Sequence, residues 1–124
     1  MKYLLTIDQL REVCSTWQNI LRLTNWDIAV CICRKAEFDN PEAAGEIKYQ
    51  LSSGKAMICL LDSADYADSP FEQDMEKTLV HELLHLYFAP FTPEPGTLAD
   101  DLMENTIEHI AEALVNLKRN KVRT

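Results

Sequence analysis

The chain has 124 residues, 47% of them apolar, and a formal net charge of −8 from 12 basic and 20 acidic side chains. That length fits one domain, 1–124, with one core, and no run approaches the ~18 consecutive apolar residues of a membrane span. The acidic balance argues against nucleic acid as a partner, and the first eight residues lose their apolar character too soon for a secretory signal, so a cytoplasmic protein with no membrane partner is expected.

Thr6 with Gln9 three residues later is a capping-box signal. Leu10, Val13, Cys14, Trp17, Ile20 and Leu21 then recur at helical spacing, which predicts a first helix over about 7–22 whose role is packing. Residues 26–33 alternate, with Trp26, Ile28, Val30 and Ile32 on one side, and read as a strand. Residues 37–44, with Asn40-Pro41 inside them, read as a loop. Ile47, Tyr49 and Leu51 alternate with Glu46, Lys48 and Gln50, so 45–51 is a second strand. A turn at 52–55 leads to the unbroken apolar run 56–61, expected to be buried on both faces, and the two strands form a hairpin. The four cysteines, Cys14, Cys31, Cys33 and Cys59, form no C-x-x-C pair and lie in apolar runs. They are expected to be reduced core thiols, with no spacing that marks a metal site.

Residues 62–69 read as an acidic loop. Ser69, Pro70 and Glu72 together predict a helix start, and that helix runs to Phe88, with Pro90 as its stop. Residues 89–97, with three prolines and a glycine, read as a linker. Thr97 and Asp100 open a last helix to about Lys118, with Met103, Ile107, Ile110, Ala111, Leu114 and Leu117 as its apolar face. Lys118, Arg119, Lys121 and Arg123 sit where cations complement a helix C-terminus. Helix, three strands, helix, helix predicts an α+β domain, a small mixed three-stranded sheet packed with three helices.

The chemistry lies in His81-Glu82-Leu83-Leu84-His85, an H-E-x-x-H sequence inside the best-defined helix. Residues four apart share a helix face, so both imidazoles can reach one cation, and zinc suits neutral nitrogen donors. Glu82 flanks that cation and is placed to take a proton from water, whose pKa zinc lowers from 15.7 toward ~7. Two histidines and a glutamate in an otherwise apolar helix cost several kcal/mol unless they are paired or bind metal.

A catalytic zinc takes three protein ligands and keeps one position open. Asp100, Asp101, Glu104, Glu108, His109 and Glu112 are the candidates for the third. Glu104 and Glu108 border the apolar face of the last helix, Glu112 points away, His109 lies on the wetter side, and Asp100 and Asp101 suit the helix dipole in the first turn. Glu104 is therefore the preferred ligand. Glu108, one turn on, is expected in a supporting role, accepting a hydrogen bond from the free ring nitrogen of His81 or His85.

With the Trp17 helix, the Trp26-Asp27-Ile28 strand start, Gly45-Glu46 and residues 78–86 around the motif, the chain resembles zincin metallopeptidases. More narrowly, it is similar to the minimal gluzincin-like domains of phages and prophages. That resemblance implies a zinc-dependent hydrolase of peptide bonds, one Zn2+ per chain, with His81, His85 and Glu104 as ligands and Glu82 as general base. Gluzincins carry an acid four residues after the ligand glutamate, as Glu108 follows Glu104. Met103 and Glu108 stand where larger gluzincins have asparagine and aspartate. The resemblance also implies a peptide or protein substrate held antiparallel to a sheet edge, for which the strand of residues 46–51 is expected. Larger gluzincins stabilise the oxyanion from a C-terminal domain; here Tyr49 and Tyr87 are the remaining candidates, and both also read as packing. The alternative is a non-catalytic, metal-stabilised binding or phage assembly module.

Overall fold

Local signals place most of the elements. The computed structural model describes residues 2–123, and side chains as far as Asn120. Helix α1 spans Ile7–Ile20 and is capped as its sequence requires: the Thr6 hydroxyl accepts from the Gln9 amide, and the Gln9 side chain accepts from the Thr6 amide. It ends sooner than predicted because Arg22 turns into the left-handed region, at φ 57°. Leu10, Cys14, Trp17 and Leu21 are buried, whereas Ile20 is exposed.

Strands β1 (Asp27–Cys33), β2 (Gly45–Gln50) and β3 (Lys55–Leu61) form one mixed sheet in the order β1-β3-β2. β1 runs parallel to β3, and β2 and β3 form the expected antiparallel hairpin. β2 is therefore an edge strand. Helix α1 packs against β1, and α2 (Met75–Phe88) against β2 and β3. These helices cover only the face that carries Val30, Ile32, Ile58 and Leu60. The expectation that β3 is buried on both faces is thus corrected: Met57 is exposed and Cys59 half-buried on the other face. An unbroken apolar run marks a central strand here, but centrality within a sheet does not cover both its sides.

Two boundaries differ from expectation. Helix α2 starts at Met75, not at Ser69, and its cap is Asp74, whose carboxylate accepts from the Lys77 amide. The Ser69 hydroxyl instead closes a local turn by accepting from the Phe71 amide. Helix α3 begins at Leu98, where Thr97 accepts from the Asp100 amide, and runs to Arg123, past the predicted end. Its buried residues are Met103, Ile107, Ala111 and Val115, while Ile110 and Leu117 are exposed. This strict four-residue spacing is a single ridge, which suits a helix packed mainly on one partner, α2.

The basic residues near the end of the chain do more than complement a dipole. The Lys118 ammonium lies 2.6 Å from Glu76. Arg119 grips Asp74 with two nitrogens, at 2.7 and 2.9 Å. These cations clasp α3 to the first turn of α2. The side chains of Lys121 and Arg123 lie outside the described residues. Glu76 also accepts from the Trp17 indole at 2.7 Å, so one carboxylate joins all three helices. Among the described residues no helix is long and apolar enough to cross a membrane.

Candidate metal centre

Helix α2 is buried along Leu79, Val80, Leu83, Leu84 and Leu86. That burial fixes its rotation and leaves His81 and His85, one turn apart, half-buried toward α3 and the end of β2. Their rings stand 5.2 Å apart, tilted by 54°. Glu104 of α3 spans them: its Oε2 lies 3.1 Å from His81 Nε2, and its Oε1 lies 3.1 Å from His85 Nε2. Glu108, one turn further along α3, stands 3.3 Å from His81 Nδ1. A ring with its proton on Nδ1, facing Glu108, turns the lone pair of Nε2 toward Glu104. A cation could then bridge that lone pair and the carboxylate, whereas a ring with its proton on Nε2 donates it to Glu104. The donor set of two imidazoles and a carboxylate suits a divalent transition metal, and the three ligand atoms lie within 4.8 Å of one another.

Glu82 is buried at 7% exposure behind this group. Burial pushes its carboxyl up to about 8, with the charges of Glu104, Glu46 and Glu108 acting in the same direction. Burial also lowers the basicity of His85, assisted by His81 and opposed by Glu104. Gly45, at the start of β2, makes the close approach possible. A Cβ there would lie 2.6 Å from Thr78 Cγ2 and 3.2 Å from the Glu82 carboxylate.

The other candidates for the third position are not among the converging donor atoms. Asp100 accepts from the Gly96 amide in the first turn of α3. Glu112 pairs with Lys77 at 3.3 Å, and His109 is exposed with Nδ1 near the Asn105 carbonyl. Lys77, which motif reading did not single out, also reaches Glu108 at 3.5 Å and so helps aim that carboxylate at His81. Its signal in the sequence was its place one turn before His81.

The group opens into a cleft of about 820 Å3 lined by Gly45, Glu46, Ile47 and Tyr49 of β2, by the loop carrying Tyr66 and Phe71, and by α2 and α3. Tyr49 lines it, with its hydroxyl 3.4 Å from Thr92 Oγ1. Tyr87 does not; its hydroxyl bonds the Leu21 carbonyl beneath α1. Tyr66 also lines the cleft, its hydroxyl donating to the Phe71 carbonyl.

A second group was missed from sequence. Cys31, Cys33 and Cys59 converge on the uncovered face of the sheet, their sulfur atoms within 4.8 Å of one another. Only Cys14 meets the expectation of a core thiol: it is buried, and burial pushes it up to about 11. Each of the two groups can hold a metal ion.

No family model, curated protein or solved structure matches the chain.

Proposed function

We propose that the chain is a zinc-dependent metallopeptidase of the zincin type, hydrolysing a peptide held in the cleft beside β2. The observation that carries this reading is a single carboxylate, Glu104, lying 3.1 Å from Nε2 of both His81 and His85, with Glu82 buried behind them. His81, His85 and Glu104 would hold the zinc ion, and Glu108 would keep the His81 proton on Nδ1. A zinc ion bound there supplies a Lewis acid that polarises a carbonyl and makes water more acidic. Glu82 takes the proton of the attacking water and delivers it to the leaving amine as the carbon–nitrogen bond breaks. A cation held there would offset the burial that raises the Glu82 carboxyl and favour the ionised form a base requires. The free edge of β2, which runs along the cleft, suits an extended peptide bonded through its main chain.

Elemental analysis of the purified chain and of His81→Ala tests the site; a variant that holds one zinc per chain fewer than wild type supports it. Cleavage of a denatured protein substrate by the zinc-loaded chain and by Glu82→Gln tests the chemistry. Equal rates, or no cleavage by either, would leave a metal-stabilised module and sink the enzyme.

A further inference from the structure

The uncovered face of the sheet carries chemistry that the cleft does not use. Cys31 of β1 is the register partner of Cys59 of β3, and Glu46 of β2 follows in the same row. Cys33 lies two residues beyond Cys31, so it projects from the same face. The sulfurs of Cys31 and Cys59 are 2.8 Å apart, and those of Cys31 and Cys33 are 3.3 Å apart. All three residues are half-buried, and α1 and α2 pack on the other side of the sheet.

Three features make this more than a chance meeting of small apolar side chains. The three sulfurs converge on one another although two strands supply them. The sulfurs already touch, so a cation seated among them would meet all three with only small side-chain movements. All three also share a face that neither α1 nor α2 covers, so an ion from solvent can reach them.

We propose that Cys31, Cys33 and Cys59 form a second metal site, a three-thiolate seat for a thiophilic d10 cation of the Zn2+ or Cu+ kind. Thiolate donors select such ions over the harder ones that carboxylates prefer. With metal–sulfur bonds of about 2.3 Å, sulfurs around one ion stand about 3.8 Å apart. The cluster reaches that spacing by opening each short contact by about 1 Å or less, a movement available to side-chain rotation on a face that no helix covers. On binding, each thiol gives its proton to solvent as its metal–sulfur bond forms. Three protons leave per ion, and no electron is transferred. The seat shares no residue with the histidine group: the thiols lie on the face away from α2, the helix that carries both histidines.

The experiment titrates the reduced chain with Cd2+, standing in for Zn2+, and in a second arm with Cu+ delivered from a chelator. Thiolate-to-metal charge-transfer absorption is followed in the ultraviolet, together with proton release in weak buffer. The expected result is a band that saturates at one ion per chain, with three protons released. Cys31→Ser and Cys59→Ser, checked for folding by circular dichroism, should lose the band, whereas His81→Ala should keep it. The arm that saturates at the lower free-ion concentration names the cation. Absence of the band in both arms, with the reduced wild-type chain folded, overturns the proposal. So does a band that survives Cys31→Ser and Cys59→Ser, or a Cys31–Cys59 disulfide forming in air from a reduced chain that binds neither ion. In-register strands separated by about 4.8 Å permit such a bridge.

Discussion

The two donor groups lie on opposite faces of one three-stranded sheet and are built in opposite ways. The histidine group sits between packed helices. Two donor side chains come from one turn of α2, and a third from the neighbouring α3, whose position is fixed by the buried ridge Met103, Ile107, Ala111 and Val115. The cysteine group sits on bare sheet, assembled by the parallel register of β1 and β3, which brings Cys31 beside Cys59 across 28 positions of sequence. The first lines a cleft and holds a buried acid beside its donors; the second offers its sulfurs to whatever reaches the surface. The difference separates a site suited to chemistry from one suited to binding.

That contrast breaks most visibly at Glu82. If the cleft is catalytic, Glu82→Gln lowers peptide cleavage by about 10²–10⁴-fold, the usual worth of a general base, while zinc content stays at the wild-type level. Single-turnover rates with metal content measured on the same sample decide it. A variant that cleaves as well as wild type would reduce the cleft to a binding site like its counterpart. Glu108→Gln is the next largest effect. Gln keeps the shape and loses the charge that faces His81 Nδ1, so zinc affinity should fall about 10- to 100-fold. Competition against a chromophoric chelator reads it. The charge-transfer band of the thiols should be untouched, and joint loss at both places would mean that the two groups are not separate.

The same contrast explains what could be read from the sequence. His81, Glu82 and His85 were legible because helical spacing is local; Glu104 and Glu108 followed because the next helix had a readable phase. The mixed α+β architecture was legible from alternation and from the 52–55 turn; β2 is the edge strand that was expected, although the burial of β3 on both faces from which that followed does not hold. The thiol cluster was not, because it depends on which strands become neighbours and on their register, and neither is written in the spacing of the cysteines. The start of α2 was misread for a related reason. Ser69-Pro70-Phe71-Glu72 has the composition of a helix cap, but Asp74 lies nearer the first buried residue, Met75, and tertiary packing chose between them. The Lys118 and Arg119 pairs with Glu76 and Asp74 were hidden because they join residues more than forty positions apart.

Gly45 offers a smaller, one-sided perturbation. It begins β2 directly under α2, where an added methyl would meet Thr78 Cγ2 at 2.6 Å. Gly45→Ala should cost about 1–3 kcal/mol, the range for an overpacked contact, measured by chemical denaturation. It should also impair cleavage, because the Glu82 carboxylate is a neighbour of the same methyl. The sulfurs lie on the far side of the sheet and should keep their ion affinity. A fully stable, fully active alanine variant would show that β2 can move away from α2 freely, and the tight helix–sheet contact would then play no part in holding the base.

The smallest expected effect concerns the junction that holds α3 in place. Burial alone would raise the Glu76 carboxyl, but the Lys118 ammonium and the Trp17 indole, with Arg119 nearby, outweigh it and keep the group below its ordinary value of 4.5. A carboxyl whose folded value is depressed stabilises the fold above its unfolded value. That contribution is lost as pH falls through the folded value. Wild-type stability should therefore decline from about pH 4.5 downward, and Glu76→Gln should flatten that part of the acid limb. At neutral pH the variant should lose about 1 kcal/mol, since Gln still accepts from the indole and gives up only the charge. Denaturation curves across the acid range would show it, and a variant that parallels wild type throughout would remove Glu76 from the account. The junction clasps α3 to α2, adding to the buried ridge that positions Glu104. Weakening it should therefore loosen zinc in the cleft and leave the thiols, which rest on strands alone, as they were.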